Sequence, residues 1–554
     1  MHKCFARLLA VSLFSTVVAL AQPVISIPAL SSASYRAPGM PGSGIAQGSI
    51  FSIFGTGLGP GAGVGANAFP LPTALGGASA TVTVGGTQVS AIILYTSSFQ
   101  VNAILPSTTP VGSGTFTVTY NGQTSAPAAI EVVTSAFGIY TFSSRGNGQA
   151  IATDVDYKVN SIIHTFHPGD YATLWGTGLG AINASDAKAP PVGNVPGSIT
   201  VYVGNTAASV VTYHGRSGFS GLDQIDFQIP AGVTGCYVPI AVEAGGVLGN
   251  IGNIATIAVS DSGQTCSDSV MGQDLVDKLA AGQTVDFGYI RLESSFERTE
   301  LFEFFTGDAA MATFSEYTPG TAGLAEYGVS SGYCVAVDCS YNCGVDSYNE
   351  TLSDSSPAQL AAGALSVLRG TSIPLSTTQY LGNGYYYAVL TGPSGEAYLL
   401  PGLPYLVSGT GGAAVGAFSV SDLTSVPSSL ALFTGLTADQ TVPLSGDLTV
   451  QWSGGDPTLQ NGQVTIGALS ANSTFTLAEF LQCTAPASAQ KFTIPGWVLS
   501  ALPPTGTFQS GTTTYALGWI WIGQYNKPTS FSATGLDSGI VTDISNNGFG
   551  VYFK

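Results

Sequence analysis

FGTGLG at residues 54–59 returns as WGTGLG at residues 175–180, and the way this hexapeptide is read decides the fold. Glycine-rich turns have two common uses. A phosphate-binding loop opens a helix, whose N-terminus supplies free amides and a favourable dipole. Here the first copy runs into PGAGVGANAFPLP (60–72) and the second into AINASDAKAPPVGNVPG (181–197). Prolines and glycines at that density bar the helix. The glycines therefore serve the backbone, through positive φ or close approach of strands.

Working outward, GSIFSIFGTGLG (48–59) aligns without a gap on GDYATLWGTGLG (169–180). Downstream, TVGG (83–86) corresponds to YVGN (202–205), the two-residue turn of a hairpin. IILY (92–95) then matches VVTY (210–213), and FQVNAILP (99–106) matches DQIDFQIP (223–230). Landmarks in preserved order mark a duplicated module of roughly 120 residues.

These residues resemble a known module. SSASY (31–35), IAQGSIFSIFGTGLG (45–59), PLPTALGG (70–77) and QVNAILP (100–106) are similar to the IPT/TIG immunoglobulin-like fold. More narrowly, they resemble Ig-like modules in secreted proteins of Solibacter-type acidobacteria. The second copy carries the pattern as GQAIATDVDYKVNS (148–161), HPGDYATLWGTGLG (167–180) and GLDQIDFQIP (221–230). The resemblance covers about 230 residues and implies an exported β-sandwich, with no activity attached.

The bulk composition agrees. The chain has 554 residues, 45% hydrophobic and only 8% charged, with 72 glycines. That length asks for several cores, and the mixture suits short strands between glycine and proline turns. A net charge of −18 with 14 Lys plus Arg excludes the dense basic face that nucleic acid needs. Lys3 and Arg7 precede the run LLAVSLFSTVVAL, and Ala19-Leu20-Ala21 fits a cleavage site before Gln22. This is the pattern of a secretory signal peptide; no other stretch reaches the 18 or so apolar residues of a membrane helix.

The expected organisation is mostly β. A signal peptide (1–21) precedes tandem immunoglobulin-like β-sandwich modules at 22–135 and 136–266. A β-rich domain at 267–415 and a C-terminal β-sandwich at 416–554 follow, with a few short helices. The best helix lies in SDSVMGQDLVDKLAAGQ (267–283), and TVDFGYIRL follows it as a strand. Beyond Cys4 there are six cysteines, an even count that in an exported chain points to disulfides. Cys236 opens the strand CYVPIAVEAG and Cys266 lies just past NIATIAVS. Their bond would tie the tail to the second module, contributing roughly 3–4 kcal/mol on the chain-entropy account. Cys334, Cys339, Cys343 and Cys483 leave three pairings open.

Candidate chemistry is sparse. His164 and His167, with Asp154 and Asp156 upstream, have ligand-type side chains, but positions i and i+3 of a strand face opposite sides. Gly328-Val329-Ser330-Ser331-Gly332 matches a nucleophile elbow, yet all four histidines precede it, against the order such hydrolases use. Glu293, Glu297, Glu300, Glu303 and Asp308, beside Arg291 and Arg298, read as a solvated strand face. The segment HGRSGFSGLD (214–223) is longer than its counterpart and gathers His214, Arg216, Phe219 and Asp223 into a candidate contact loop. Tyr385-Tyr386-Tyr387 and the Trp519/Trp521 pair are candidate glycan platforms. No metal or cofactor is expected. The sequence points to a non-catalytic, exported envelope component or adhesin-like module whose partners are extracellular polysaccharide or envelope proteins. The alternative is an accessory or catalytic protein acting on polysaccharide.

Overall fold

The computed structural model describes residues 22–249, 251–267, 270–295, 308–321, 329–340, 357–369, 373–379, 385–390, 398–400, 403–424, 430–433, 435–454 and 462–554. The expected leader, Gly328, Cys343, Glu297, Arg298, Glu300 and Glu303 lie outside the described residues.

Strict alternation builds the first sandwich. Along Ala78–Val84 every second residue is buried, as a strand with one face on a core requires. Gly85 and Gly86 both take positive φ, at 55° and 82°, so Val84 pairs with Thr87 across a two-residue turn. A 5-stranded sheet and a 7-stranded sheet face each other. They enclose Phe51, Ile53, Val82, Val101, Phe116 and Val118, a core drawn wholly from this module.

The second copy repeats the plan. Tyr171–Thr177 pairs with Asp223–Gln228 as Ile50–Thr56 pairs with Gln100–Ile104. Val203 meets Thr206 around Gly204 and Asn205. Its 5- and 6-stranded sheets close on Phe137, Phe166, Leu174, Ile225, Phe227 and Ile240.

Both hexapeptides use their glycines as expected. A Cβ on Gly55 would lie 2.0 Å from the Val24 carbonyl oxygen, and one on Gly176 would lie 2.2 Å from that of Gly138. Gly57 and Gly178 then turn the chain with φ of 66° and 111°.

The C-terminal half opens with the helix Gln273–Ala280, which buries Leu275, Val276 and Leu279. Val285–Ser295 follows. It pairs antiparallel with Asp308–Tyr317 on one side and parallel with Ser538–Gly550 on the other. Among the described residues this becomes a sheet of 14 strands. The sheet serves two cores, one around Phe314, Tyr386 and Val407, the other around Val450, Ile466, Leu481 and Ile520.

Strand pairing therefore crosses the expected division at 415/416. Pro404–Gly409 pairs with Phe418–Thr424, and the last long strand lies beside the first of this half. Local alternation reveals strands, whereas their partners are set by contacts distant in sequence.

Cys236 and Cys266 are bonded. Cys334 and Cys483, directly opposite each other on adjacent strands, form a second disulfide. Cys339 is disulfide-bonded as well. No helix among the described residues is long and apolar enough to cross a membrane.

Because its core borrows nothing from its neighbours, residues 22–135 expressed alone should give β-type circular dichroism and a cooperative melt. A dye-binding globule without a sharp transition would show that the core needs the second module.

Candidate functional site

The most chemically distinctive places in the molecule are its junctions. In the second hexapeptide the amides of Gly178 and Leu179 both donate to Asp223 Oδ2 at 2.8 Å. The glycine turn thus does form an anion-binding nest, and the chain's own carboxylate fills it. Arg216 donates to the other oxygen of Asp223 through Nη1. Its Nη2 donates to the carbonyls of Gly180 at 2.8 Å and Gly48 at 3.1 Å, the latter in the first module. Thr177 completes the seam, donating to Gly221 O at 2.6 Å and accepting from the Ile50 amide at 2.9 Å. Asp186 adds another link, accepting from the Ser107 amide and hydroxyl at 2.7 and 3.0 Å.

This corrects the candidate contact loop. The side chains of Arg216 and Asp223 are 1% and 0% exposed, so neither can meet a ligand. The loop is long because it turns inward to fasten two modules together. Half-buried His214 donates its backbone amide to Asn194 Oδ1 at 3.0 Å, while its ring Nδ1 is buried without a hydrogen-bond partner among the described residues. Only Phe219 reaches solvent, at 67% exposure. In the first module Phe99 takes the place of Asp223, so the copies have diverged at the residue that makes the seam.

A second knot, unmarked by any motif, joins the N-terminal module to the C-terminal half. Arg36, 2% exposed, donates to Glu479 Oε2 at 2.5 Å, to Ala501 O at 2.7 Å and to Pro41 O at 2.9 Å. Asp338 stands 3.7 Å from the guanidinium and accepts from the Ala37 amide at 2.7 Å. Asn253 brings in the second module, donating to Ser34 O at 2.7 Å and accepting from the Asp338 amide at 2.9 Å. The guanidinium lies where a side chain on residue 252 would be: a Cβ on Gly252 would fall 1.2 Å from Nη1. The available signal was an isolated arginine in an otherwise uncharged loop, SSASYRAPGMPGSG (31–44).

Burial governs the carboxyls here. It raises Glu479 well above the ordinary range; Arg36 opposes the shift and Asp338 adds to it. Burial raises Asp223 too, against Arg216 and the two amides.

The remaining candidates fall apart spatially or become structural. His164 Nε2 lies 2.9 Å from Asp154 Oδ2. Burial alone would raise Asp154, but bonds from the Lys158 amide, His164 and the Asp156 amide hold it below the usual range. His167 instead donates its amide to Asp170, and no three metal-type ligands cluster among the described residues. Ser330 Oγ accepts the Tyr237 amide at 2.9 Å.

Asp308 departs from the expected solvated face. It is buried, and it accepts the amides of Tyr398 and Leu399. Glu293 keeps its partner Arg291 at 3.1 Å. Tyr386 is buried, edge-on to Phe314, while Trp521 is half-buried over Gly467, where a Cβ would come within 2.1 Å of the indole. Partly exposed aromatics pair elsewhere: Phe475 on a turn and Phe508 on a neighbouring hairpin have ring centroids 6.5 Å apart.

No protein-family model and no curated protein matches the chain. Among solved structures it is similar to the Bacteroides ovatus mixed-linkage glucan utilization locus SGBP-B in complex with mixed-linkage heptasaccharide. That match has 11% identity, covers 86% of this chain and 97% of that one, and has a TM-score of 0.15. It is also similar to SGBP-B from a complex xyloglucan utilization locus in Bacteroides uniformis (12% identity, 96% and 99% covered, TM-score 0.16). Domains 5-6 of the S-layer protein SbsC match at 14% identity, with 44% and 100% covered and a TM-score of 0.16. At such TM-scores these likenesses carry no argument about this chain.

Two outcomes follow from the buried charges. Arg216→Met leaves Asp223 buried without its counter-charge and should cost about 3–5 kcal/mol in chemical denaturation; a loss below about 1 kcal/mol would mean that the pair is not buried in solution. Asp543 is buried in Ser538–Gly550, and burial pushes its carboxyl up to about 6, with Asn526 pulling the other way. Its folded form holds the proton more tightly than the unfolded one. Its contribution to stability therefore falls as pH rises from about 4 to 6. Asp543→Asn should raise stability by on the order of 2 kcal/mol above pH 7 and leave it nearly unchanged near pH 4.

Proposed function

We propose that this chain is an exported, non-catalytic β protein of the cell surface, a rigid multi-module scaffold that holds extracellular polysaccharide. The observation that carries the reading is the pair of buried arginine knots. Modules joined by linkers move relative to one another by default. Here each junction places a buried guanidinium among backbone carbonyls and carboxylates drawn from different modules. A frame of that kind holds its loop tips at constant separations, so weak contacts along a polymer add with high effective concentration. The resemblance of the repeated module to IPT/TIG sandwiches of exported proteins supports the same placement, as do the disulfides. Three of the buried carboxylates are committed to the frame: Asp223 and Glu479 face arginines, and Asp308 faces amides.

The disulfide-intact protein, incubated with envelope fragments and insoluble polysaccharides, should be retained and should release no soluble sugar. Chelation should leave its melting temperature unchanged. Glycan turnover abolished by replacing one carboxylate would overturn the non-catalytic reading, and failure to be retained by any of these materials would overturn the binding role.

A further inference from the structure

The turn between Gln463–Ala471 and Ala478–Pro486 and the hairpin formed by Thr507–Ser510 and Thr513–Ala516 stand side by side. Each carries one exposed phenylalanine. Phe475 is 48% exposed and Phe508 37%, and the rings meet at 64° with centroids 6.5 Å apart. Burying either ring would be favourable, yet the fold presents both at a tip.

Phe475 also holds a φ of 55°, a left-handed conformation that is costly for a bulky side chain and persists only where the surroundings enforce it. The surroundings do enforce it. Asn472 Oδ1 accepts the amides of Thr476 and Leu477 at 3.0 and 3.2 Å, and Phe475 donates its own amide to Asn472 O at 3.0 Å. Ser473 Oγ accepts the Thr507 amide at 2.9 Å, which ties the two loops together. Glycine or asparagine would meet that backbone geometry with less strain.

The chemistry around the rings narrows the occupant. No residue in 471–478 or 503–518 is charged. Hydroxyls and amides border the pair instead: Thr474 and Thr476 share a hydrogen bond at 2.9 Å, and Gln509 donates to Thr514 at 3.4 Å. An apolar ring face bordered by neutral donors and acceptors complements a pyranose, which has C–H faces and a hydroxyl rim. The net charge of −18 repels polyanions at long range. We infer that the Phe475–Phe508 tip is a binding site for a neutral polysaccharide. The inference rests on the scaffold reading above and adds the site and the class of polymer.

The tip is also preorganised from behind. Glu479, the residue after this uncharged turn, is the acceptor of Arg36, so the loop is anchored to the N-terminal module at its base. A preformed site avoids part of the ordering entropy of binding.

The test uses the full chain with cellulose, starch granules and a β-1,3-glucan as neutral probes, and polygalacturonate and alginate as anionic ones. At least one neutral polymer should deplete the wild type from solution, while the anionic polymers should not. The Phe475→Ala/Phe508→Ala variant should keep the wild-type melt and lose about tenfold in apparent affinity, the scale of a hot-spot aromatic. Phe475→Asn, which suits the left-handed backbone, should lose affinity without losing stability.

If the double variant binds as well as the wild type, the site is overturned while the scaffold reading stands. The same holds if envelope fragments retain the wild type but no neutral polymer does. Retention by nothing overturns both. Concentration-dependent self-association, or binding to phosphatidylcholine vesicles, that disappears in the double variant without any neutral-polymer binding would reassign the tip to a second copy or to a lipid surface.

Discussion

The guanidinium of Arg36 sits in the interior with two carboxylates and two backbone carbonyls around it. Removing an arginine from water costs several kcal/mol, and the cost is recovered only where geometry is close to ideal and further hydrogen bonds are satisfied. Segments widely separated in sequence must therefore reach their final positions together: the loop 31–44, Asn253, Asp338, Glu479 and Ala501. The arrangement constrains all three regions of the chain at once, because an error in any of them strands a charge.

Arg216 does the same for the tandem modules, and the comparison between copies shows how. In the first copy the amide of Leu58 donates to the Ser98 carbonyl. In the second, the amides of Gly178 and Leu179 turn to a carboxylate. The glycine turn is common to both copies, while the carboxylate belongs to one copy only. A motif that looks like a ligand-binding loop thus became an internal fastener, and the anion it takes comes from 45 residues further along the same chain.

Rigidity of this kind separates the frame from the tips. Charged groups are scarce, and several of them lie inside. At the Phe475–Phe508 tip the surface groups are aromatic, amide and hydroxyl. Chemistry of that type makes shallow, individually weak contacts with a neutral polymer, and such contacts gain strength only when their spacing is maintained.

Much was legible in the sequence: the β class, the duplicated module, the hairpin turns at Gly85-Gly86 and Gly204-Asn205, the helix at Gln273–Ala280 and the purpose of the repeated glycines. Each is written in residues close together along the chain, as alternation, turn chemistry or a glycine where no side chain fits. The tertiary structure alone decided the rest. It drew Arg216 and Asp223 out of a candidate contact loop and into a seam. It buried Asp308, which the sequence left on a solvated strand. It ran one sheet across residues 415/416 and left Phe475 and Phe508 in solvent. Strand partners, counter-charges and exposure are relations between distant residues, and local pattern records which side of a strand is apolar without recording what covers it.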